Sequence, residues 1–216
     1  MDTKQQTHKR RAVPGRLHRQ RGMSLIEMGI AVALLAVVTI AGMFAVRKIQ
    51  FESSMTTMRQ EVPASINAMV AAYANHMNTV GANTMLLSGL NVWPSDRISN
   101  RNDATVEVKG HFSGQTEMVF SNVTTDAKRL PSANQGFLYV LSDLPPDACL
   151  PVLQFVVTLP GVAQVYAGLP GTPTGTARGK VVTKDERSHL VLDMTAANTQ
   201  CAGSTAKDIE ILVGRI

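Results

Sequence analysis

The segment GTPTGTARGK, residues 171–180, has the composition of a phosphate cradle. A GxxxxGK[ST] loop grips phosphates with backbone amides, a lysine and a metal-binding hydroxyl. That pattern needs glycine at 174 and serine or threonine at 181, where this chain has Thr174 and Val181. No nucleotide cradle is expected. Ser88, in LLSGL, lacks the glycine spacing of a nucleophile elbow. The histidines His8, His18, His76, His111 and His189 show no metal-ligand spacing. His76 reads as a surface or packing residue of a helix. Asp185-Glu186-Arg187 reads as a solvated turn, and Asn122-Val123-Thr124 as a chance glycosylation sequon on a strand. With no catalytic constellation, no metal set and no cofactor motif, the reading is of a protein that is not an enzyme.

Cys149 and Cys201 are the two cysteines, 52 positions apart, and no Cys-x-x-Cys pair exists. They are either one disulfide or two buried thiols. An exported domain favours the bridge.

The chain has 216 residues and a formal charge of +5. The charge is concentrated at the start. Residues 1–22 carry Lys4, Lys9, Arg10, Arg11, Arg16, Arg19 and Arg21 against Asp2 alone, a net +6, which leaves −1 for the other 194 residues. A body without excess positive charge has no footprint for a phosphate backbone, so no direct nucleic-acid partner is expected.

The elements that position these residues begin with HRQRGMSLIEMGIAVALL, residues 18–35. Met28–Val46 is a run of 19 uncharged residues, about the length that crosses a bilayer as a helix. Basic residues crowd its N-terminal side and predict an N-in orientation. The run is too long for a cleaved secretory signal, and no turn or small-residue site follows it. A plain signal anchor fits the length but leaves Glu27 unexplained. An intramembrane acid costs roughly 2.5–3.5 kcal/mol on the insertion scale and therefore needs a partner.

Arg21, Gly22, Met23, Ser24, Leu25, Ile26 and Glu27 together resemble the processing signal of type IV prepilins. That signal is a basic leader, a glycine at the cleavage position, and an apolar segment whose fifth residue is glutamate. Methionine as first mature residue and a 22-residue leader are similar to the type IVb subclass. The resemblance implies cleavage by prepilin peptidase between Gly22 and Met23, with N-methylation of Met23. It implies that Glu27 neutralises the N-terminal amine of an adjacent subunit during assembly.

Beyond Arg47 the apolar residues become periodic. Met55, Met58, Val62, Ile66, Met69, Tyr73, Met77 and Val80 fall three or four apart, one face of an amphipathic helix. The methionines of this stripe read as gap-filling core. A single spine helix is expected from about Ser24 to Val80, roughly 85 Å long at 1.5 Å per residue, with Gly81 as its stop. Gly29 and Gly42 permit close helix approach or bending. Pro63 lacks an amide donor and is expected to kink the spine.

Residues 81–103 are rich in turn formers and read as a long loop, with Trp93-Pro94 tucking an aromatic side chain against the head. Strands are expected at 104–110, 116–123, 136–143, 162–168, 179–185 and 208–215. A helix is expected at 145–158, shortened by Pro151, and a short helix carrying Cys201 before the last strand. One long helix followed by antiparallel strands is an α+β class. The domains read as a basic leader (1–22), a hydrophobic transmembrane and polymerisation helix (23–50), an amphipathic half of the spine (51–80) and a globular head (81–216).

LPPDACLPVL (144–153), the later Cys201 and a terminal strand resemble the major pilins of thin type IVb pili of conjugative plasmids and enteric pathogens. In such pilins the helical spine packs on an antiparallel sheet, and a disulfide delimits a variable region, here 149–201. The implied role is a structural subunit, made in the bacterial inner membrane and handed to an assembly platform there. It would polymerise with copies of itself into a surface pilus for adhesion, aggregation or mating contact. The competing readings are a type II secretion pseudopilin or minor pilin, and a signal-anchored periplasmic binding protein or enzyme.

Overall fold

The structure, a computed structural model, describes residues 24–74, 79–102, 105–121, 135–171, 176–186 and 189–214. The chain divides into two compact units between Val46 and Arg47.

In the first unit every described residue, 24–46, is exposed. These residues belong to helix α1, which spans Leu25–Ala72. The long uncharged run supplies no polar face, so nothing within this segment selects a buried side.

In the second unit α1 buries the stripe that the spacing predicts. Met55, Met58, Val62, Ile66 and Met69 are buried and Tyr73 is half-buried. The helix ends at Ala72, eight residues before the expected Val80. The amide of Tyr73 is shared between the Met69 and Val70 carbonyls, and Ala74 donates to Ala71. Bonds to the third residue back tighten the last turn and close the helix. Val80 is exposed, and Gly81 adopts a left-handed turn conformation instead of ending a helix. His76 and Met77 lie outside the described residues. Pro63 lies inside α1, which continues past it to Ala72.

The stretch 81–103 is not one long loop. Asn83 caps a short helix α2, Thr84–Gly89, accepting from the Leu86 amide. A 3-10 turn, Ser95–Arg97, leads into strand β1, Ile98–Asn102. Trp93 is buried, as expected.

The other strands are β2 (Thr105–Lys109), β3 (Thr116–Ser121), β4 (Gly136–Leu144), β5 (Val162–Gly168), β6 (Lys180–Val181), β7 (Thr183–Glu186), β8 (His189–Leu192) and β9 (Lys207–Gly214). Helix α3 is Pro146–Val156 and α4 is Met194–Cys201. Strands β1-β2-β3-β4-β9-β5-β6 form an antiparallel sheet in that order, and β7-β8 a separate hairpin. The single strand expected at 179–185 is therefore two, β6 and β7, and β8 was not anticipated. Asp185 and Glu186 sit in β7 and not in a turn, while Arg187 and the Asn122-Val123-Thr124 sequon fall outside the described residues.

The central strands are apolar on both faces because both faces are covered, as in any doubly buried sheet. Phe137, Tyr139, Leu141, Ile209, Ile211 and Val213 join the core formed with α1 and α3. Leu138, Val140 and Leu212 form a second cluster with Ala163 and Tyr166. Pro146 at the first position of α3, with Asp147 in its first turn, suits a helix start. The helix runs five residues past Pro151. Asp193 caps α4, accepting from the Thr195 and Ala196 amides. The α+β class, with a long N-terminal helix, an antiparallel sheet and a disulfide in the C-terminal half, is the observed architecture.

Candidate functional site

Two features stand out, one in each unit. The first is the apolar segment of α1. By length and composition α1 is able to cross a membrane, and none of its apolar window is buried. Leu25, Ile30, Leu34, Val38 and Phe44 are each more than half exposed. An apolar surface of this size is unstable in water and needs lipid or protein against it. Glu27 lies in the first turn, where the helix dipole favours negative charge. Gly29 and Gly42 have open space where a Cβ would sit. Gly22 and Met23, the residues of the expected processing site, lie outside the described residues.

The second feature is a buried charge cluster between α1 and the sheet. Arg97 donates from Nη1 to Glu61 Oε2 of α1 at 2.9 Å, and Nη2 lies 2.5 Å from Glu117 Oε1 of β3. Its Nε and Nη2 also donate to the Lys109 carbonyl. The Glu117 side chain is wholly buried, and its Oε2 accepts from Trp93 Nε1 at 3.2 Å and from the Tyr139 hydroxyl. His111 Nε2 lies 3.3 Å from Glu117 Oε1 and 3.9 Å from Glu61 Oε2. The turn carrying His111 is fixed by Gln115, whose Oε1 accepts from the His111 and Phe112 amides.

Burial pushes the Glu117 carboxyl up, and Arg97, Tyr139 and Trp93 only partly pull it back. Burial, and then Glu117, hold the Tyr139 phenol well above its usual range. Desolvation, and then the Arg97 charge, lower His111 to about 4. Among the described residues no group of histidine, cysteine, aspartate and glutamate is arranged to hold a metal.

Cys149 of α3 and Cys201 of α4 are disulfide-bonded, with Cα atoms 5.6 Å apart. Two acids on β9 tie down the glycine-rich segment that suggested a phosphate cradle. Asp208 accepts from the Asp143 and Gly171 amides and from Arg178 Nη2. Glu210 Oε2 accepts from the Arg178 and Gly179 amides at 2.7 and 2.9 Å. The amides that a phosphate would need at this end of the segment are already used.

The sequence reading identified Glu27 and the cysteines but missed the charge cluster. Its members come from positions 61, 93, 97, 111, 117 and 139. In TEMVFS the apolar alternation points equally to Met118 and Phe120, which would turn Glu117 outward. The structure buries Glu117 with Val119 instead. The one sequence hint was Glu61, an acid beside the buried stripe of α1.

No protein-family model matches the chain, and no curated protein matches it. Among solved structures it is similar to the crystal structure of TcpA, a type IV pilin from Vibrio cholerae El Tor biotype. The identity is 14% and the TM-score 0.48, over 74% of this chain and 98% of that one.

Proposed function

We propose that this chain is the precursor of a type IV pilin-like filament subunit. The observation that carries the reading is the wholly exposed apolar segment of α1, with Glu27 as its acid in the first turn. In sequence, that segment directly follows the basic leader and the Gly22-Met23 junction. In the precursor the segment is solvated by inner-membrane lipid. After a prepilin peptidase cuts behind Gly22, the new amine of Met23, N-methylated, is the nearest cation able to answer Glu27. In a filament of copies the lipid is replaced by neighbouring apolar helices around residues 23–50. A misplaced subunit leaves a buried carboxylate without its partner amine, which gives the assembly its register.

The type IVb subclass, the assembly platform, the surface location and a role in adhesion, aggregation or mating contact belong to the same proposal. They rest on the resemblance of the leader junction and of the cysteine region.

The test is N-terminal sequencing and mass analysis of the chain from its native host, with electron microscopy of the cell surface. A methylated Met23 N-terminus and abundant fibres containing the chain are expected. Processed chain without abundant fibres would favour a pseudopilin or minor pilin. An intact Met1 on a non-polymerising chain would make it a signal-anchored protein and refute the reading.

A further inference from the structure

We propose that α2 of one copy docks into the cleft between the α3–β5 turn and β8 of a second copy, so that the heads of neighbouring subunits share a contact of their own. The proposal deepens the filament-subunit reading and rests on it.

The first surface is apolar where the outer face of a surface helix is ordinarily polar. In TMLLSG, Thr84, Leu87 and Ser88 are buried, which at 3.6 residues per turn leaves Met85 and Leu86 on the outer side. Leu90, the C-cap, follows one turn after Leu86. Met85, Leu86 and Leu90 are 48%, 48% and 53% exposed. No residue from 79 to 95 carries a charge. Scattered exposed apolar side chains are ordinary, but three adjoining ones in an uncharged stretch mark a contact surface.

The start of α2 is fastened to the flank of β3. Thr84 Oγ1 donates to the Val119 carbonyl and accepts from the Val119 amide, and the Ser121 amide donates to the Ala82 carbonyl. β2 pairs with β3 at Thr116 and Glu117, and from Val119 onward residues 82–84 take that side of the strand.

The second surface is a cleft of about 550 Å³ lined by residues 157–162 and by β8. Its walls include Leu159, Pro160, Val162, Leu190 and Leu192, and no Asp, Glu, Lys or Arg. A cavity that replaces one large apolar side chain measures about 150 Å³. The cleft therefore has room for about three such side chains, the number that α2 and its cap present.

Sheet order sets the two surfaces on different flanks, since β4 and β9 stand between β3 and β5. Three strand spacings are roughly 14 Å. Fastened to β3, α2 meets such a cleft only on another copy. A contact between two different surfaces is heterologous and repeats from copy to copy without closing. A patch that met its own counterpart would close at two. Because neither surface carries a charge, excluding water between them strands no ion.

The experiment uses the full-length chain in its native host, with photoreactive benzoylphenylalanine at position 86, illuminated on cells bearing fibres. Covalent dimers are digested and mapped by mass spectrometry. Cross-links from 86 to residues 157–162 or 189–192 are expected. Should the group at 86 prevent fibres, the same group at position 158, on the exposed rim of the cleft, reports from the other side, with cross-links to 79–95 expected. In a second arm, Leu86→Lys should lower fibre yield at least tenfold, with the amount of processed chain in the membrane unchanged. Its Tm should stay close to wild type, because Leu86 is half exposed.

Cross-links from 86 to the 79–95 segment of a second copy overturn the proposal, as do cross-links to another protein alone or normal fibres in Leu86→Lys. Fibres of processed chain without cross-links at either position overturn the docking and leave the subunit reading standing. An intact Met1 on a non-polymerising chain overturns both.

Discussion

The Arg97 guanidinium lies 2.9 Å from Glu61 of the spine helix and, through its other terminal nitrogen, 2.5 Å from Glu117 inside the sheet. One cation thus serves an outer and an inner carboxylate, and the inner one has no access to water. Replacing Arg97 by methionine leaves Glu117 buried without its counter-charge. Unfolding of the full chain in detergent should show a loss of about 3–5 kcal/mol. The double variant Arg97→Met, Glu117→Leu should recover part of it, since the uncompensated charge is gone.

The disulfide joins α3 to α4 across 52 residues of sequence. Cross-linking restricts the unfolded chain, and removing such a bridge from a small exported domain typically costs about 2–5 kcal/mol. Cys149→Ser and Cys201→Ser should each lower Tm to a similar extent. The double variant should be no worse than either, because the bridge is lost once. Calorimetry with and without reductant on the wild type supplies the control.

The Glu210 carboxylate satisfies the amides of both Arg178 and Gly179. In Glu210→Leu those donors lose their acceptor, at about 1–3 kcal/mol for buried groups. Local opening should precede global unfolding. Trypsin should then cut after Arg178 at a rate at least several-fold above wild type, with the rest of the head still folded. Unchanged digestion would mean that the segment is held by other contacts.

Gly179 faces the backbone of Ala167, and a Cβ added there would lie 2.8 Å from the Ala167 carbonyl carbon and oxygen. Backbone cannot rotate away as a side chain can. Gly179→Ala should therefore lower Tm measurably, whereas Gly114→Ser, in open space but at a positive φ, should show only the smaller backbone cost of about 1–2 kcal/mol. Parallel melting curves of the two variants test the distinction.

Glu27→Ala should leave the chain membrane-inserted and processed, because removing a carboxylate lowers the insertion cost. Fibre yield should fall by an order of magnitude or more if the acid sets register as proposed. Counting fibres by electron microscopy beside an immunoblot of the membrane fraction separates assembly from expression. Normal fibres in this variant would remove the role assigned to Glu27.

Local pattern determined much of this molecule. A helix needs only a 3.6-residue rhythm, and the spacing from Met55 to Met69 carried it, so the apolar residues of α1's buried face were legible, though Ser65, buried among them, was not. The strand VAQVYAG and the helix opened by Pro146 were legible for the same reason, since their propensity and flanking signals lie within ten residues. The uncharged run from Met28 to Val46 was legible as a membrane-compatible helix because length and composition decide that property.

Tertiary structure decided what local pattern leaves balanced. Glu117 and Met118 compete for the inward face of β3, and only Arg97, Trp93 and Tyr139, arriving from three other places, make the acid the buried one. The helix ends at Ala72, and farther on Thr79 donates to the Gly136 carbonyl at the start of β4, although the apolar spacing itself runs on to Val80. The glycine-rich segment 171–180 looks like a free loop in one dimension, yet Asp208 and Glu210 pin its described ends to β9. Each of these outcomes depends on partners dozens of residues away, and their energy exists only once the sheet has brought them within hydrogen-bond reach.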